Sequence, residues 1–346
     1  MKKTNLSKVS IVIPMRNEEK YIGECLESIL ENNYPLEKME IFVVDGMSED
    51  NSRKIVKQFA SKYSQIKLLE NPKKITPVAR NIGVRNATGK IITIVDAHRF
   101  LGKDFIIKSI RCLQNMPEVC CVGGIAISIG ENFWGDLIAL ALSFPFGVGN
   151  AKYRTGKFKG LVDIVACPTY RGEVFDKIGL FDEKFIRNQD NEFNFRLTTA
   201  GEKIYLDPEI KSYYYVRPSL SKLWRQHFQY SYWNVKIVQK YKRTTSWRHS
   251  APLVFLISLV ISGIIAIFTE WGLYLLMIIG GGYIGASLLS SLVIAAKNGW
   301  KYFPFLPLVF AIIHFGYGFG FLKGIWDFLI KKKHLKQKIE DVKLTR

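Results

Sequence analysis

The sequence has few cysteines, and their spacing builds neither a disulfide framework nor a zinc site. The 346 residues include five cysteines, with no CxxC pair and no histidine-rich neighbour: Cys25, Cys112, Cys120, Cys121 and Cys167. We therefore expect reduced thiols in a protein core, as in a cytoplasmic protein.

A signal-peptide core is also lacking, and acidic residues are scarce. The first apolar run, 9–13, is too short for an h-region, so we expect the first 250 residues to stay in the cytoplasm.

The 49 Lys and Arg outnumber the 30 Asp and Glu, which gives a net charge of +19. Such an excess suits nucleic acid or an anionic membrane surface. No nucleic-acid motif occurs, and residues 200–250 carry ten basic against three acidic residues, so we expect a lipid bilayer as partner and no nucleic acid.

Three nearly uncharged runs, 253–268, 271–296 and 302–326, are about the length that crosses a bilayer. The chain is therefore predicted to be a multi-pass protein of the cell (cytoplasmic) membrane. The predicted domains are a cytoplasmic catalytic domain (1–216), amphipathic interfacial helices (217–250), a transmembrane region (251–330) and a basic tail (331–346).

The topology of the third run stays open at this point. Basic residues before 250 and at Lys297 and Lys301 favour the inner face, so three full spans would export the lysines after residue 330, against the positive-inside rule. Pro304, Pro307 and several glycines in this run favour a bent or re-entrant segment instead. Residues 219–243 likewise have two interpretations, a basic amphipathic helix on a bilayer or one packed on the sheet.

The first hundred residues alternate between strand and helix patterns. Strand patterns occur at 9–13, 40–44, 66–69 and 90–95, and helical patterns occur at 18–30, 52–63 and 77–86. This alternation predicts an α/β fold, Rossmann-like, with a mostly parallel sheet and flanking helices. A further helix is predicted at 101–116, and a turn or mobile loop at 144–150.

Polar residues follow three of the predicted strands, where an open α/β sheet binds its ligands. They are Pro14, Arg16 and Glu18 after the first strand, Asp45 after the second, and Asp96 and His98 after the fourth. Because neither a GxGxxG nor a Walker loop occurs, phosphate binding must depend on a divalent cation and on Arg or Lys. We predict that Asp96 and His98 bind that cation, with Mn²⁺ favoured over Mg²⁺ by the imidazole. The alternative for His98 is a hydrogen-bonded loop histidine.

A helix is predicted to open at 188–192, and it carries two carboxylates in its first turn. Asp190 is placed to act as a general base facing the crevice. Glu192 is either a second site residue or a carboxylate that complements the helix dipole.

Several of these segments resemble the inverting family-2 glycosyltransferases of GT-A fold. The matching runs are SIVIPMRNEE at 10–19, VDGMSED at 44–50 and ARNIG at 79–83. FGVGNA at 146–151 and RNQDNE at 187–192 are similar to the branch that contains the succinoglycan glucosyltransferase of exopolysaccharide synthesis. The resemblance covers roughly residues 9–330.

The resemblance implies a role for each matching residue. Donor binding falls to Pro14, Arg16, Glu18, Asp45, Arg80 and Asp96, and the role of catalytic base falls to Asp190. The acceptor or diphosphate side is predicted to include Glu192, Arg225, Gln226 and Trp233. Asp96-Ala97-His98 departs from the family's Asp-x-Asp, which makes the metal geometry less certain.

A second departure bears on the product. Processive synthases of the family carry a Gln-x-x-Arg-Trp motif, and here Tyr232 stands at the arginine position. We therefore predict a metal-dependent inverting transferase that adds one sugar from a nucleotide sugar, UDP-linked, to a polyprenyl-diphosphate-linked glycan. The alternatives are a polyprenyl-phosphate sugar synthase and a non-catalytic membrane assembly subunit of the same fold.

Overall fold

The computed structural model describes residues 6–156, 158–242 and 249–331. Contacts divide the chain into two units, the first formed by Met1–Ile127 and Lys152–Tyr215 and the second by Ser128–Ala151 and Val216–Arg346. The second unit thus includes a segment from the middle of the chain, which the sequence alone places in a catalytic domain of residues 1–216. The predicted domain limits stay a prediction. Of the basic tail, residues 332–346 lie outside the described residues.

Strands and helices alternate through the first part of the chain. The strands are β1 (Val9–Met15), β2 (Met39–Asp45), β3 (Ile66–Glu70), β4 (Ile91–Ile94), β5 (Arg99–Leu101), β6 (Val119–Ile129), β7 (Gly160–Val162), β8 (Ala166–Arg171) and β9 (Lys203–Tyr215). The helices are α1 (Ile22–Leu30), α2 (Ser52–Lys62), α3 (Thr76–Asn86), α4 (Phe105–Asn115), α5 (Phe133–Leu142), α6 (Pro145–Val148), α7 (Lys152–Thr155), α8 (Glu173–Ile178), α9 (Gln189–Thr199), α10 (Leu220–Tyr241), α11 (Ala251–Phe268), α12 (Glu270–Asn298) and α13 (Leu306–Gly324).

The strands form one mixed sheet in the order β3-β2-β1-β4-β8-β6-β9-β5, with β7 paired to β9. The four strands from β3 to β4 are parallel, as predicted, so their carboxyl ends meet at one edge. Strand β8 is antiparallel to both β4 and β6, and β5 is antiparallel to β9. The predicted α/β class with flanking helices is confirmed, while the antiparallel part of the sheet was not predicted.

Side chains of β1 alternate between two apolar cores, one on each face of the sheet. Ile11 and Ile13 pack with Leu26 of α1 and Ile110 of α4 on one face. On the other face, Val12 packs in a cluster that includes residues of α3 and α9. Because successive strand residues point to opposite faces, the run 9–13, which is apolar except at Ser10, is the pattern of a strand covered on both sides.

In the second unit, α13 is one continuous helix, and its glycines serve close packing. A Cβ at Gly320 would lie 2.2 Å from the Phe228 carbonyl oxygen of α10, and one at Gly318 would lie 3.0 Å from the Pro252 carbonyl oxygen of α11. The described helix is not interrupted between Leu306 and Gly324, and a bent or re-entrant segment stays a prediction. A short π-helical stretch, Ile325–Ile330, follows it.

Within residues 144–150, predicted as a turn or mobile loop, Pro145–Val148 form a single helical turn, α6, that packs against the apolar helices. The Phe146 ring lies 5.0 Å from Phe310, and its carbonyl oxygen is 2.9 Å from Nε2 of His314. Nδ1 of His314 is 3.0 Å from the Tyr283 hydroxyl. Both ring nitrogens of His314 thus form hydrogen bonds within the second unit.

Three of the described helices are long and apolar enough to cross a membrane, namely Ala251–Phe268, Glu270–Asn298 and the stretch Leu306–Ile330. The predicted apolar segments thus correspond to helices.

Candidate active site

The loops that follow β1 and β2 are joined to each other by hydrogen bonds. Asn17 has a left-handed backbone (φ 54°); its N–H donates to Ser48 Oγ (2.8 Å), and its side-chain oxygen accepts from the Glu49 N–H (2.8 Å). The Glu18 N–H donates to Ser52 Oγ at 2.7 Å. These bonds fix the backbone that carries Arg16 and Glu18 at the edge where the parallel strands end.

Asp45, at the end of β2, is buried and organises its own loop. Its carboxylate accepts from the Ser48 hydroxyl (2.5 Å) and from Arg53 Nη1 (3.1 Å). The side chain is 0% exposed. Its predicted contact with the nucleoside stays a prediction.

Asp96, just after β4, lies between two arginines. Oδ1 accepts from Arg80 Nη2 at 3.2 Å, and Oδ2 accepts from Arg99 Nε at 3.1 Å. Burial alone would raise the pKa of Asp96, but the two guanidinium charges hold it well below its usual range. Asp96 is therefore ionised at neutral pH, and the three side chains together carry one excess positive charge.

The ring of His98 is oriented by another carboxylate, that of Glu18. Nδ1 is 3.2 Å from Glu18 Oε1, and the ring centre is 5.7 Å from that of Tyr214. A carboxylate on one ring nitrogen is the usual support of a histidine that binds metal through the other.

Helix α3 presents Arg80 to the site because it packs closely on β1. A Cβ at Gly83 would lie 2.2 Å from Val12 Cγ1, so only glycine allows this approach. The neighbouring Asn81 bonds both the N–H and the carbonyl of Phe181, each at 2.9 Å. The ARNIG run thus combines a charged site residue, a backbone clamp and a packing glycine.

Asp190 opens α9 after Asn188, which has a left-handed backbone (φ 58°). Its Oδ1 accepts from the Asn191 N–H at 2.9 Å, and the residue is partly exposed. Burial raises the pKa of the Tyr170 phenol, and the charges of Arg80 and Asp190 both act on it. Asp190 and Arg80 thus both act electrostatically on this phenol.

The comparisons with known proteins assign the chain to a family. The model named Glycosyl transferase family 2 matches residues 10–179. A dolichyl N-acetyl-alpha-D-glucosaminyl phosphate 3-beta-D-2,3-diacetamido-2,3-dideoxy-beta-D-glucuronosyltransferase of Methanococcus voltae is 30% identical over 326 residues, covering 92% of this chain and 97% of the relative. The chain belongs to glycosyltransferase family 2.

Two further likenesses agree with this family-2 glycosyltransferase assignment. The succinoglycan biosynthesis protein ExoA of Rhizobium meliloti is 25% identical over 325 residues, covering 92% of this chain and 95% of the relative. The solved structure of the mannosyltransferase PcManGT from Pyrobaculum calidifontis, in complex with GDP-Man and Mn²⁺, has a TM-score of 0.62 at 19% identity, covering 94% of this chain and 88% of that one. The predicted GT-A fold and the resemblance to the exopolysaccharide branch are confirmed.

Asp96 and His98, at the end of β4, have the donor types that divalent cations bind, a carboxylate and an imidazole. Among the residues that the structure describes, no three His, Cys, Asp or Glu side chains group to hold a metal. Asp96 and His98 offer a carboxylate with two further lone pairs and an oriented imidazole. Cations in nucleotide sites are commonly bound by one or two protein ligands, with substrate phosphates completing the sphere. Two protein ligands therefore suffice for a cation that arrives with a nucleotide.

Glu192 has an internal partner. Its carboxylate is 0% exposed and accepts from Arg196 Nε and Nη2 at 3.0–3.2 Å. The same guanidinium donates to the carbonyl oxygens of Ile178 and Leu180. This arrangement anchors α9 from inside the unit, and a contact of Glu192 with the acceptor stays a prediction.

Arg225, Gln226 and Trp233 lie on α10, in the second unit. Arg225 is exposed, whereas Gln226 and Trp233 are each 4% exposed. The Gln226 amide donates to the Tyr230 hydroxyl at 2.9 Å. Their predicted place near the acceptor or diphosphate stays a prediction.

The buried guanidinium N–H groups that have no hydrogen-bond partner in the described part of the chain include three on arginines of the candidate site. They are Nε of Arg16, Nε of Arg80 and Nη1 of Arg99. Each such donor costs about 1–3 kcal/mol when left unpaired. An anionic ligand at the strand ends would satisfy them.

Arg99 is the residue that the sequence reasoning missed. It starts the short strand β5, and its guanidinium lies over the Tyr214 ring at 4.8 Å. Its sequence signal is a single basic residue directly after another candidate site residue, His98, and such a pattern is common on any surface. Only the neighbourhood of Asp96 and Tyr214 distinguishes it.

Proposed function

We propose that this glycosyltransferase moves one sugar, with inversion, from a UDP-sugar to a polyprenyl-linked glycan at the cytoplasmic face of a membrane. The observation that carries the proposal is the excess positive charge around Asp96, with buried arginine N–H groups that lack partners. A nucleoside diphosphate has the charge and the acceptor oxygens to satisfy them.

Asp190 is the proposed base. The acceptor hydroxyl gives its proton to the Asp190 carboxylate while its oxygen attacks the anomeric carbon of the donor sugar. The bond from that carbon to the diphosphate oxygen breaks on the opposite side, and the electron pair leaves with UDP. General-base catalysis of this kind contributes about 10²–10⁴ in rate.

Charge on the leaving diphosphate is balanced by Arg80 and Arg99, which Asp96 keeps oriented. Asp96 and His98 would hold a divalent cation, Mn²⁺ rather than Mg²⁺, which supplies further positive charge at the diphosphate when bound. Glu18 keeps His98 in position. Pro14, Arg16, Glu18 and Asp45 are the proposed contacts of the nucleoside.

The proposed acceptor is a sugar already attached to a polyprenyl phosphate or diphosphate. The name of the Methanococcus voltae relative specifies a dolichyl-phosphate-linked sugar, and ExoA is named for succinoglycan biosynthesis. These names favour a lipid-linked sugar over bare polyprenyl phosphate. Addition of one sugar is favoured because Tyr232, at the arginine position of the processive motif, bonds Asp327 of its own unit at 3.2 Å.

A thermal-shift panel tests the donor and the cation together. The detergent-purified full chain is mixed with UDP, GDP, CDP or TDP, each with Mn²⁺, Mg²⁺ or EDTA. GDP is included because the PcManGT structure contains GDP-Man. Ligand at about 100 times its dissociation constant adds about 2.7 kcal/mol to the free energy of unfolding.

The proposal expects UDP with Mn²⁺ to raise the melting temperature most, and EDTA or Asp96→Ala to abolish the rise. Glu209→Ala, which removes an exposed carboxylate, is the matched control and should keep the rise. If no nucleotide shifts the transition under any metal, the transferase proposal loses to a non-catalytic subunit. Sugar transfer to bare polyprenyl phosphate, but not to a lipid-linked sugar, would favour a polyprenyl-phosphate sugar synthase.

A further inference from the structure

Helix α13 packs against α10 in parallel and in one constant register. Three glycines of α13, spaced four residues apart, each lie against a carbonyl oxygen of α10, and these oxygens are also four residues apart. The pairs are Gly316 with Trp224, Gly320 with Phe228 and Gly324 with Tyr232, at 3.3, 2.2 and 2.9 Å from a Cβ placed on the glycine. Two helices whose contacts keep the same residue offset over two turns lie side by side and run in the same direction.

The contact continues past the glycines. The Tyr232 hydroxyl donates to Asp327 Oδ2 at 3.2 Å, and the Gln239 amide donates to the Phe328 carbonyl oxygen at 2.6 Å. Helix α10 therefore accompanies the apolar stretch from Gly316 to Phe328. If residues 316–328 lie at a given depth in the membrane, α10 must lie at the same depth.

Helix α10 is too polar for the hydrocarbon core. Lys222, Arg225 and Lys240 are exposed, and Lys236 lies over the Trp233 ring at 4.9 Å. A lysine or arginine at the centre of a bilayer is costly, and such residues are rare on the lipid-facing side of spanning helices. Four such residues on one helix exclude it from the core.

The part of α13 that lies outside this contact is too short to cross alone. Residues 306–315 give about ten residues and, at 1.5 Å per residue, about 15 Å of helix. The hydrocarbon core is about 30 Å thick. Helices α11 and α12, with 18 and 29 residues, are long enough.

We propose that only α11 and α12 cross the bilayer, and that α10 and α13 lie together at its cytoplasmic surface. The pair has the side chains of an interfacial surface, with aromatic and apolar groups next to lysines. The exposed members are Trp224, Phe319, Lys323, Trp326, Leu329, Ile330 and Lys331. Tryptophan concentrates at the headgroup level, and lysine reaches anionic phosphates there.

This topology agrees with the charge of every connecting segment. Two spans leave only the turn at Thr269 and Glu270 outside. The basic residues before α11, Lys297 and Lys301 of the next connection, and the lysines after residue 330 all remain inside. Three spans would export the last group.

Labelling with a membrane-impermeant maleimide tests the proposal on the full chain in sealed spheroplasts of a bacterial host. The native thiols form a low background: four of the five are buried, and burial raises the pKa of Cys112, the fifth, to about 11. Three single substitutions report position: Glu270→Cys, Asn298→Cys and Thr345→Cys. Wild-type protein gives the background.

The proposal expects only Glu270→Cys to react from outside, and all three variants to react after permeabilisation. Reaction of Thr345→Cys from outside at the level of Glu270→Cys would mean that α13 crosses. Outside reaction of Asn298→Cys, or none at Glu270→Cys, would equally overturn the two-span topology. The readout does not depend on activity, so it is independent of the proposed function.

Discussion

Replacing Gly83 by alanine should destabilise the first unit. The added methyl would lie 2.2 Å from Val12 Cγ1, whereas carbon atoms in contact stay about 3.5–4.0 Å apart. Helix α3 would have to move away from β1 by more than about 1 Å. Overpacking of this kind lowers the free energy of unfolding by about 1–3 kcal/mol, and the better helix propensity of alanine raises it by about 1 kcal/mol. We expect a net loss of about 1–2 kcal/mol, or a melting temperature lower by about 2–8 °C.

Thermal unfolding of the detergent-purified full chain measures this loss, with Gly23→Ala as the matched control. A methyl at Gly23 meets only Ile55 Cγ2 at 3.9 Å, which is ordinary contact, so this variant should be neutral or slightly stabilised. Val12→Ala removes both colliding methyls. In that background, Gly83→Ala should cost less than in wild type, because the nearest atom left at position 12 is the Cβ, at 3.1 Å. The reasoning is refuted if Gly83→Ala is as stable as Gly23→Ala, or if Val12→Ala fails to relieve its effect.

Three other substitutions should change stability in ways that the structure specifies. The hydrogen bonds of buried Glu40 lower its pKa to about 2 from 4.5. The ionised carboxylate therefore adds about 3 kcal/mol to the free energy of unfolding above pH 5, and this contribution is lost as the pH falls toward 2. In unfolding curves taken from pH 6 to 3, Glu40→Gln should reduce the loss of stability at low pH. Glu192→Gln leaves the partly buried Arg196 guanidinium without its anion, and chemical denaturation should show a loss of about 1–3 kcal/mol. Gly320→Ala would bring a methyl to 2.2 Å from the Phe228 carbonyl oxygen and should lower the melting temperature, whereas Gly280→Ala, with open space around it, should not.

The parallel half of the fold could be predicted because local signals there agree. The apolar run 9–13 and the helix stripe that follows it are strong short-range patterns, and both elements form where expected. The antiparallel half has weaker signals. Strand β5 has three residues beside the start of a predicted helix, and β8 contains Cys167 in a left-handed conformation and a proline. Pairing with distant strands, rather than propensity, determines these elements.

The glycines of α13 show how one pattern can have two physical causes. Glycines and prolines in an apolar segment predict a bend when no partner is known. Spacing of four residues equally allows close approach of a neighbouring helix, and α10 is that neighbour. The partner lies about ninety residues earlier in the chain, where its sequence indicates only an amphipathic helix.

The candidate site, too, contains residues that local sequence patterns predict and residues that only the folded chain brings together. The strand-end residues Asp45, Asp96 and His98 could be selected from sequence because parallel strands end at one edge. Arg99 and the bond from Glu18 to His98 depend on how loops fold back, so no local pattern indicated them. The sequence also left the role of Glu192 open, and its buried pairing with Arg196 favours an anchoring role.

The most direct test of the proposed function is transfer of a labelled sugar from a panel of UDP-sugars to a polyprenyl-linked sugar by the full chain with Mn²⁺. For the sugar that wild type transfers, Asp190→Asn should lower turnover by about 10²–10⁴ and leave the nucleotide-induced thermal shift intact. Asp176→Asn, which changes an exposed carboxylate of α8, should retain normal turnover. Near-normal turnover of Asp190→Asn, or no transfer by wild type from any nucleotide sugar, would contradict the account.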